Sequence, residues 1–228
     1  MQSNLTFKFL RVLSIVLLVI TTAFTLLGGA GTTCVAFNAE AFGASMASLV
    51  PVKPVFQVLV VISLAAALYG AYATFRLARG RHGAYHSALL FLVVAGTASA
   101  IQFYFSLTLR GSTAPNNFRL YTTLLTLAVL LVLRLPGIWQ KVGLEQGGTA
   151  GSFGKPAGLG MLAAGLLTLA MPVWGAPTHV INGVNTVNVL LAPLMTLGTL
   201  LCAGGILLLF GQRRHTVSRA QPSVYLTL

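Results

Sequence analysis

Residues 99–126 read SAIQFYFSLTLRGSTAPNNFRLYTTLLT: an apolar segment, a turn, and the start of a second apolar segment. Ser99, Gln102, Ser106 and Arg110 follow one another at spacings of three, four and four. On a helix advancing about 100° per residue they fall on one face. Arg119, Thr122, Thr123 and Thr126 share a face of the next helix in the same way. The turn between them, Gly111 to Phe118, is short, so the helices are expected to be antiparallel neighbours with both polar faces turned into a bundle. Pro115 stops any continuation, and Asn116 or Asn117 is placed to cap the second helix.

The rest of the chain resembles these two segments. Of 228 residues, 56% are hydrophobic and 7% charged, with a mean hydropathy of +0.87. Soluble domains carry about 25% charged residues, so a chain this apolar cannot cover its own surface in water. Apolar runs long enough to cross a bilayer recur, at about 12–28, 55–75, 84–107, 120–135, 159–174 and 187–210. The expected fold is all-α, a polytopic membrane protein with a single integral domain of six transmembrane helices. The first run could pass for a signal peptide ending at Gly28-Gly29-Ala30, but the segment is retained and reads as an anchor. Gly29 to Lys53 reads as the longest loop. In it Asn38 would cap a short interfacial helix ending at Pro51 and Pro54, with Glu40 in its first turn and Phe37, Phe42, Met46 and Leu49 on its apolar side. Gln146 to Gly158 reads as a Gly-rich linker, and Pro193 as a kink inside the sixth span.

Basic residues orient the bundle. With the N-terminus inside, the inner segments hold Lys8, Arg11, Arg76, Arg79, Arg81, Arg134, Lys141, Lys155, Arg213, Arg214 and Arg219, and the outer ones only Lys53, Arg110 and Arg119. That skew predicts both termini in the cytoplasm of a bacterial-type plasma (inner) membrane. It also explains the net charge of +12 better than nucleic acid does, because the basic residues form no stripe with interleaved aromatics.

The only acids are Glu40 and Glu145, and there is no aspartate. Paired carboxylates for acid–base catalysis, carboxylate metal sites and intramembrane carboxylate proton relays are therefore excluded within one chain. Cys34 and Cys202 lie at different depths, too far apart for a disulfide, and read as small apolar fillers. His82 and His86 have the spacing of a helical metal pair, but their arginine neighbours repel a cation. With His179 in an outer loop and His215 in the tail, no haem-binding pair faces across helices. No cofactor is expected. GGAG and GLEQGGTAGSFG lack the Lys-Ser/Thr ending of a phosphate loop, and no catalytic serine or zinc motif occurs.

Other spans carry polar stripes too: Ser14, Thr21, Thr25 and Gly28 in the first, and Asn185, Asn188, Ala192, Thr196 and Thr199 in the sixth. Small pairs such as Ala66/Gly70 and Gly96/Ala100 suit close helix contact. The stripes read either as packing seams or as walls of one polar cavity open to the outer side. For Arg110 and Arg119 three readings stand. They snorkel to water; they form an anion or lipid-phosphate site with Gln102, Asn116 and Tyr121; or Glu40 folds back to neutralise them.

The leading functional expectation is a non-enzymatic accessory or scaffold subunit that binds membrane lipids and other membrane protein subunits. The alternative is a facilitative transporter or channel for a small neutral or anionic solute. An intramembrane enzyme using Cys202, Ser99 or His179 is the weakest reading, because none has a visible activating partner.

Overall fold

The structure, a computed structural model, describes residues 2–42, 44–113, 116–145, 154–174, 176, 180–181 and 183–210. Pro115, His179, His215, most of the Gly-rich linker and the tail arginines lie outside them. The described chain is all-α apart from one two-residue hairpin, and six of its helices are long and apolar enough to cross a membrane.

In order the elements are α1 (Gln2–Asn38), a 3-10 turn (Ala39–Phe42), α2 (Ala44–Ala47), a second 3-10 turn (Val50–Val52), α3 (Lys53–Ala78), α4 (Ala84–Arg110), α5 (Asn116–Leu133) and α6 (Trp139–Val142). Then come α7 (Gly154–Leu169), α8 (Met171–Trp174), the strands β1 (Val180–Ile181) and β2 (Val184–Asn185), α9 (Thr186–Val189) and α10 (Leu191–Phe210). The strands are antiparallel, with Val180 opposite Asn185 and Ile181 opposite Val184.

Helices α1, α3, α4 and α5 form an up-and-down four-helix bundle in which α1 touches α3 and α5, and α4 touches the same two. Helix α7 lies against α1, and α10 against α7. The bundle interior has three layers. At one end Ile15, Leu18, Leu77, Tyr85, Phe91, Leu92, Leu130 and Leu133 pack together. At the other end Leu49, Phe56 and Val60 do so with Ala36. Between them lie the buried polar residues Thr21, Thr25, Ser63, Ser99, Gln102, Arg119, Thr123 and Thr126, with Leu59, Ala67 and Ala98 beside them.

The first apolar end carries a basic and aromatic belt. The Arg134 guanidinium lies 4.5 Å from the Trp139 ring and 5.3 Å from the Tyr85 ring, and Arg76 donates to Ser87 Oγ at 3.1 Å. Such mixtures anchor helix ends at a membrane–water boundary. Glu145 accepts the backbone N–H of Tyr85 at 2.9 Å, which satisfies one orphan donor in the first turn of α4. The opposite end carries Lys53 and Arg110. Gly111 ends α4 in the left-handed conformation, at φ 67°, which glycine adopts without steric cost.

Four expectations change. First, Gly28-Gly29-Ala30-Gly31 does not end the first helix, which runs on to Asn38. Each helical glycine is disfavoured by about 1 kcal/mol relative to alanine, but here the missing side chains admit neighbours. A Cβ on Gly29 would stand 3.2 Å from both Ser63 Cβ and Leu64 Cδ2. Second, Asn38 closes α1 instead of capping a helix over 38–49, and the segment forms a 3-10 turn and one helical turn. Third, Pro51 and Pro54 stand in first turns, not at a helix end. Fourth, Pro193 stands in the first turn of α10 instead of kinking a longer helix. The helix is interrupted by a turn at Leu190, and a proline in a first turn sacrifices only an N–H that has no helical partner.

Candidate functional site

The polar layer centres on Arg119. It sits on the first turns of α5 and is only 3% exposed. Its Nη1 donates to Gln102 Oε1 of α4 at 3.0 Å and its Nη2 to Ser63 Oγ of α3 at 2.8 Å. On the α1 side Gly28 leaves the room it occupies, since a Cβ there would stand 3.0 Å from Arg119 Cδ. One guanidinium is thus enclosed by four helices.

Its partners are neutral. Glu40 binds Lys53, with Nζ–Oε1 at 3.1 Å, so it does not fold back onto the arginines. Glu145 lies at the other end, on the N–H of Tyr85. Both acidic side chains of the sequence are therefore committed elsewhere. Arginine cannot shed its proton in a protein, and taking an ion out of water costs several kcal/mol unless its charge is compensated.

The cluster is also short of acceptors. Arg119 Nε, Gln102 Nε2 and Ser99 Oγ are buried without a hydrogen-bond partner. Gln102 is 2% exposed and Ser99 fully buried. Asn116 donates Nδ2–H to the Ser99 carbonyl at 2.9 Å, which pins the start of α5 to the middle of α4.

The hydroxyls of the neighbouring seams close on backbone carbonyls one turn back: Thr25 on Thr21, Thr123 on Arg119, Thr126 on Thr122. Thr21 and Thr126 meet across α1 and α5 at 2.7 Å. These seams are packing devices, and only the Arg119 neighbourhood retains unused donors among the polar groups of this layer.

Of the residues singled out from sequence, Arg119, Gln102 and Asn116 come together. Tyr121 does not join them: it is 57% exposed and packs its ring 6.4 Å from that of Phe103. Arg110 is half-buried at the far end of α4, eight residues beyond Gln102. The sixth-span stripe stays out of the bundle, with Asn188, Ala192, Thr196 and Thr199 all exposed. Sequence reasoning passed over Ser63. Its signal was a lone hydroxyl in the run VFQVLVVISLAAAL, with no periodic partner on its own helix. Among the described residues no group of three histidine, cysteine or acidic side chains is placed to hold a metal. Chemically, the cluster offers hydrogen-bond donors and a positive charge, without an adjacent base or activated nucleophile.

Comparison of the chain with protein-family models, with curated proteins and with solved structures gives no match.

Proposed function

We propose that the protein is a non-enzymatic accessory or scaffold subunit of a larger assembly in the plasma membrane, both termini in the cytoplasm, in contact with lipid and with partner helices. The observation that carries this reading is the outer face of α10. Its most apolar stretch is 11% buried, against 28–44% for the other five candidate spans. Gly198 and Gly205, its buried residues, face α7. Ala192, Thr196, Thr199 and Ala203 are exposed and lie about 140° around the helix from those glycines at 3.6 residues per turn. Small residues at such spacings let a second helix approach closely, and close packing rather than a hydrophobic drive associates helices in lipid.

The test is disulfide or photo-crosslinking from Thr196 and Ala203 in native membranes, with Leu131 of α5 as an exposed control. Crosslinks to one defined membrane protein from α10 alone support the reading. Adducts with lipid only, together with extraction as a lone monomer, defeat it.

A second reading, facilitated passage of a small neutral or anionic solute, is favoured by the enclosed Arg119. Solute flux into proteoliposomes containing the purified chain separates the two.

A further inference from the structure

Helix α5 starts deep. Asn116 bonds Ser99, and a Cβ on Gly96 would stand 3.4 Å from Thr123 Cγ2, so the first turns of α5 lie level with the middle of α4. The neighbours continue past that level. Helix α4 extends eight residues beyond Gln102 to Arg110, α3 begins ten residues before Ser63 at Lys53, and α1 extends ten residues beyond Gly28 to Asn38. At 1.5 Å per residue these three helices stand roughly 12–15 Å above the guanidinium, about half the thickness of a hydrocarbon core of about 30 Å. The rim on the α5 side is polar: Ser112 is exposed, and Thr113, Asn116 and Asn117 are partly so.

A helix N-terminus carries partial positive charge and N–H groups without helical partners; at the start of α5 the Asn117 N–H donates to the Thr113 carbonyl at 3.1 Å. Here that terminus is sunk beside a charge that no acidic side chain among the described residues neutralises. Three buried donors on adjacent side chains lack acceptors: Arg119 Nε, Gln102 Nε2 and Ser99 Oγ. Gln102 is tied to Arg119 through its other amide atom, and Ser99 is one turn away on the same face of α4. All three donors are met by negatively charged oxygen; the buried Asn117 Oδ1 at the same helix start is an acceptor without a partner and calls for a donor instead.

We propose that the sunken start of α5 is a binding site for a small oxyanion, a carboxylate or a phosphate group, held by Arg119, Gln102 and Ser99. Its access is from the end of the bundle that carries Arg110 and Lys53. The inference specifies the ligand class for the second reading above, yet concerns binding alone: it holds whether or not the anion crosses the bilayer and whether or not α10 takes a partner.

The experiment uses the full chain in phosphatidylcholine nanodiscs, titrated separately with sodium phosphate and sodium acetate against sodium chloride at matched ionic strength. Binding is read by calorimetry and thermal unfolding. A parallel series replaces part of the phosphatidylcholine with phosphatidylglycerol. Saturable stabilisation by phosphate or acetate identifies a free anion as the ligand. Stabilisation by phosphatidylglycerol alone identifies a lipid phosphate. Either is expected to weaken about tenfold, equivalent to about 1.4 kcal/mol, in Ser99→Ala and Gln102→Leu. These variants leave Arg119 in place, so they report even if Arg119→Gln does not fold. The exposed Arg81→Gln should bind as the wild type does. No saturable response to any of the three probes, or an undiminished one in both Ser99→Ala and Gln102→Leu, overturns the proposal.

Discussion

Gly28 of α1 and the side chain of Arg119 of α5 share one space: a Cβ on the glycine would stand 3.0 Å from Arg119 Cδ and 3.5 Å from Nη1. The guanidinium can be enclosed only because the helix opposite has no side chain there. Gly28→Ala should be close to neutral, since the gain in helix propensity, about 1 kcal/mol, offsets a small displacement of a flexible side chain. Gly28→Leu should destabilise by about 1–3 kcal/mol, because it drives the guanidinium off Gln102 and Ser63. Reversible unfolding in mixed micelles measures both. Equal stability of the leucine variant and the wild type would show that Arg119 does not need this space.

Gly70 and Phe91 make a tighter contact of the same kind. A Cβ on Gly70 would lie 2.6 Å from Phe91 Cε2, and Phe91 is 1% exposed in the apolar layer. Gly70→Ala should therefore cost about 1–3 kcal/mol despite its better helix propensity. Phe91→Leu in the same chain should recover part of that loss, and a double-mutant cycle measures the recovery. Independent, additive effects would contradict the contact.

The six spans were legible because they depend on length and apolarity alone, which a sequence displays directly. The antiparallel α4–α5 hairpin followed from its short turn, and the face shared by Ser99, Gln102 and Ser106 is indeed the buried one. What stayed hidden depends on a neighbour in space. The GGAG run looks like a helix end until Arg119 is seen filling the gap left by Gly28, and Ser63 and Leu64 that left by Gly29. Ser63 has no periodic partner on α3, so only its bond to Arg119 distinguishes it. Tyr121 stands two residues from Arg119, and on a helix that spacing turns a side chain away. The sixth-span stripe carries threonines as those of α1 and α5 do, and a threonine does not record which face a neighbour covers.

Thr21 and Thr126 offer a measure of what a buried hydroxyl pair contributes between these helices. Their oxygens are 2.7 Å apart and fully buried, but each also has a backbone carbonyl within reach, Thr122 for Thr21 and Thr122 or Leu17 for Thr126. The pair is thus partly redundant, and interhelical hydrogen bonds in membranes are commonly worth about 0.6 kcal/mol. Thr21→Val and Thr126→Val should show a coupling of that order. A coupling above about 2 kcal/mol would mean that the backbone alternatives do not substitute.

The Glu40–Lys53 pair closes the end of the bundle that carries Arg110, and it should respond to acid. A hydrogen bond from its own backbone N–H, then one from Lys53, lowers the Glu40 pKa. A carboxyl with a depressed folded pKa contributes stability above its unfolded value, about 4.3, and loses it as pH falls through the folded value. Amide exchange over 39–49 should therefore be pH-insensitive in protection above about pH 4.3 and lose protection below it. Because the carboxylate is exposed, added salt should weaken the effect. Glu40→Gln should abolish the pH dependence, and a transition that survives in this variant would assign it to another group.

Helix α10 is held to the rest of the chain chiefly through backbone contact with α7. A Cβ on Gly165 would lie 2.6 Å from Cys202 Sγ and 2.8 Å from the Gly198 carbonyl, and one on Gly198 would lie 2.7 Å from Leu169 Cγ. Carbonyl oxygens cannot step aside as a side chain can, so here even alanine should separate the helices. Gly165→Ala and Gly198→Ala should each cost about 1–3 kcal/mol, with nearly the whole loss confined to α7 and α10, because among the described residues α10 has no other substantial helix neighbour. In a Cys34→Ser background, Cys202 is the remaining thiol, and its labelling rate in detergent reports on that interface. The rate should rise several-fold in both glycine variants while the α1–α3–α4–α5 bundle, followed by the protection of the Gly28 and Ser63 amides, stays intact. If labelling and bundle protection change together, the two parts unfold as one unit and α10 is not the separable outer helix described here.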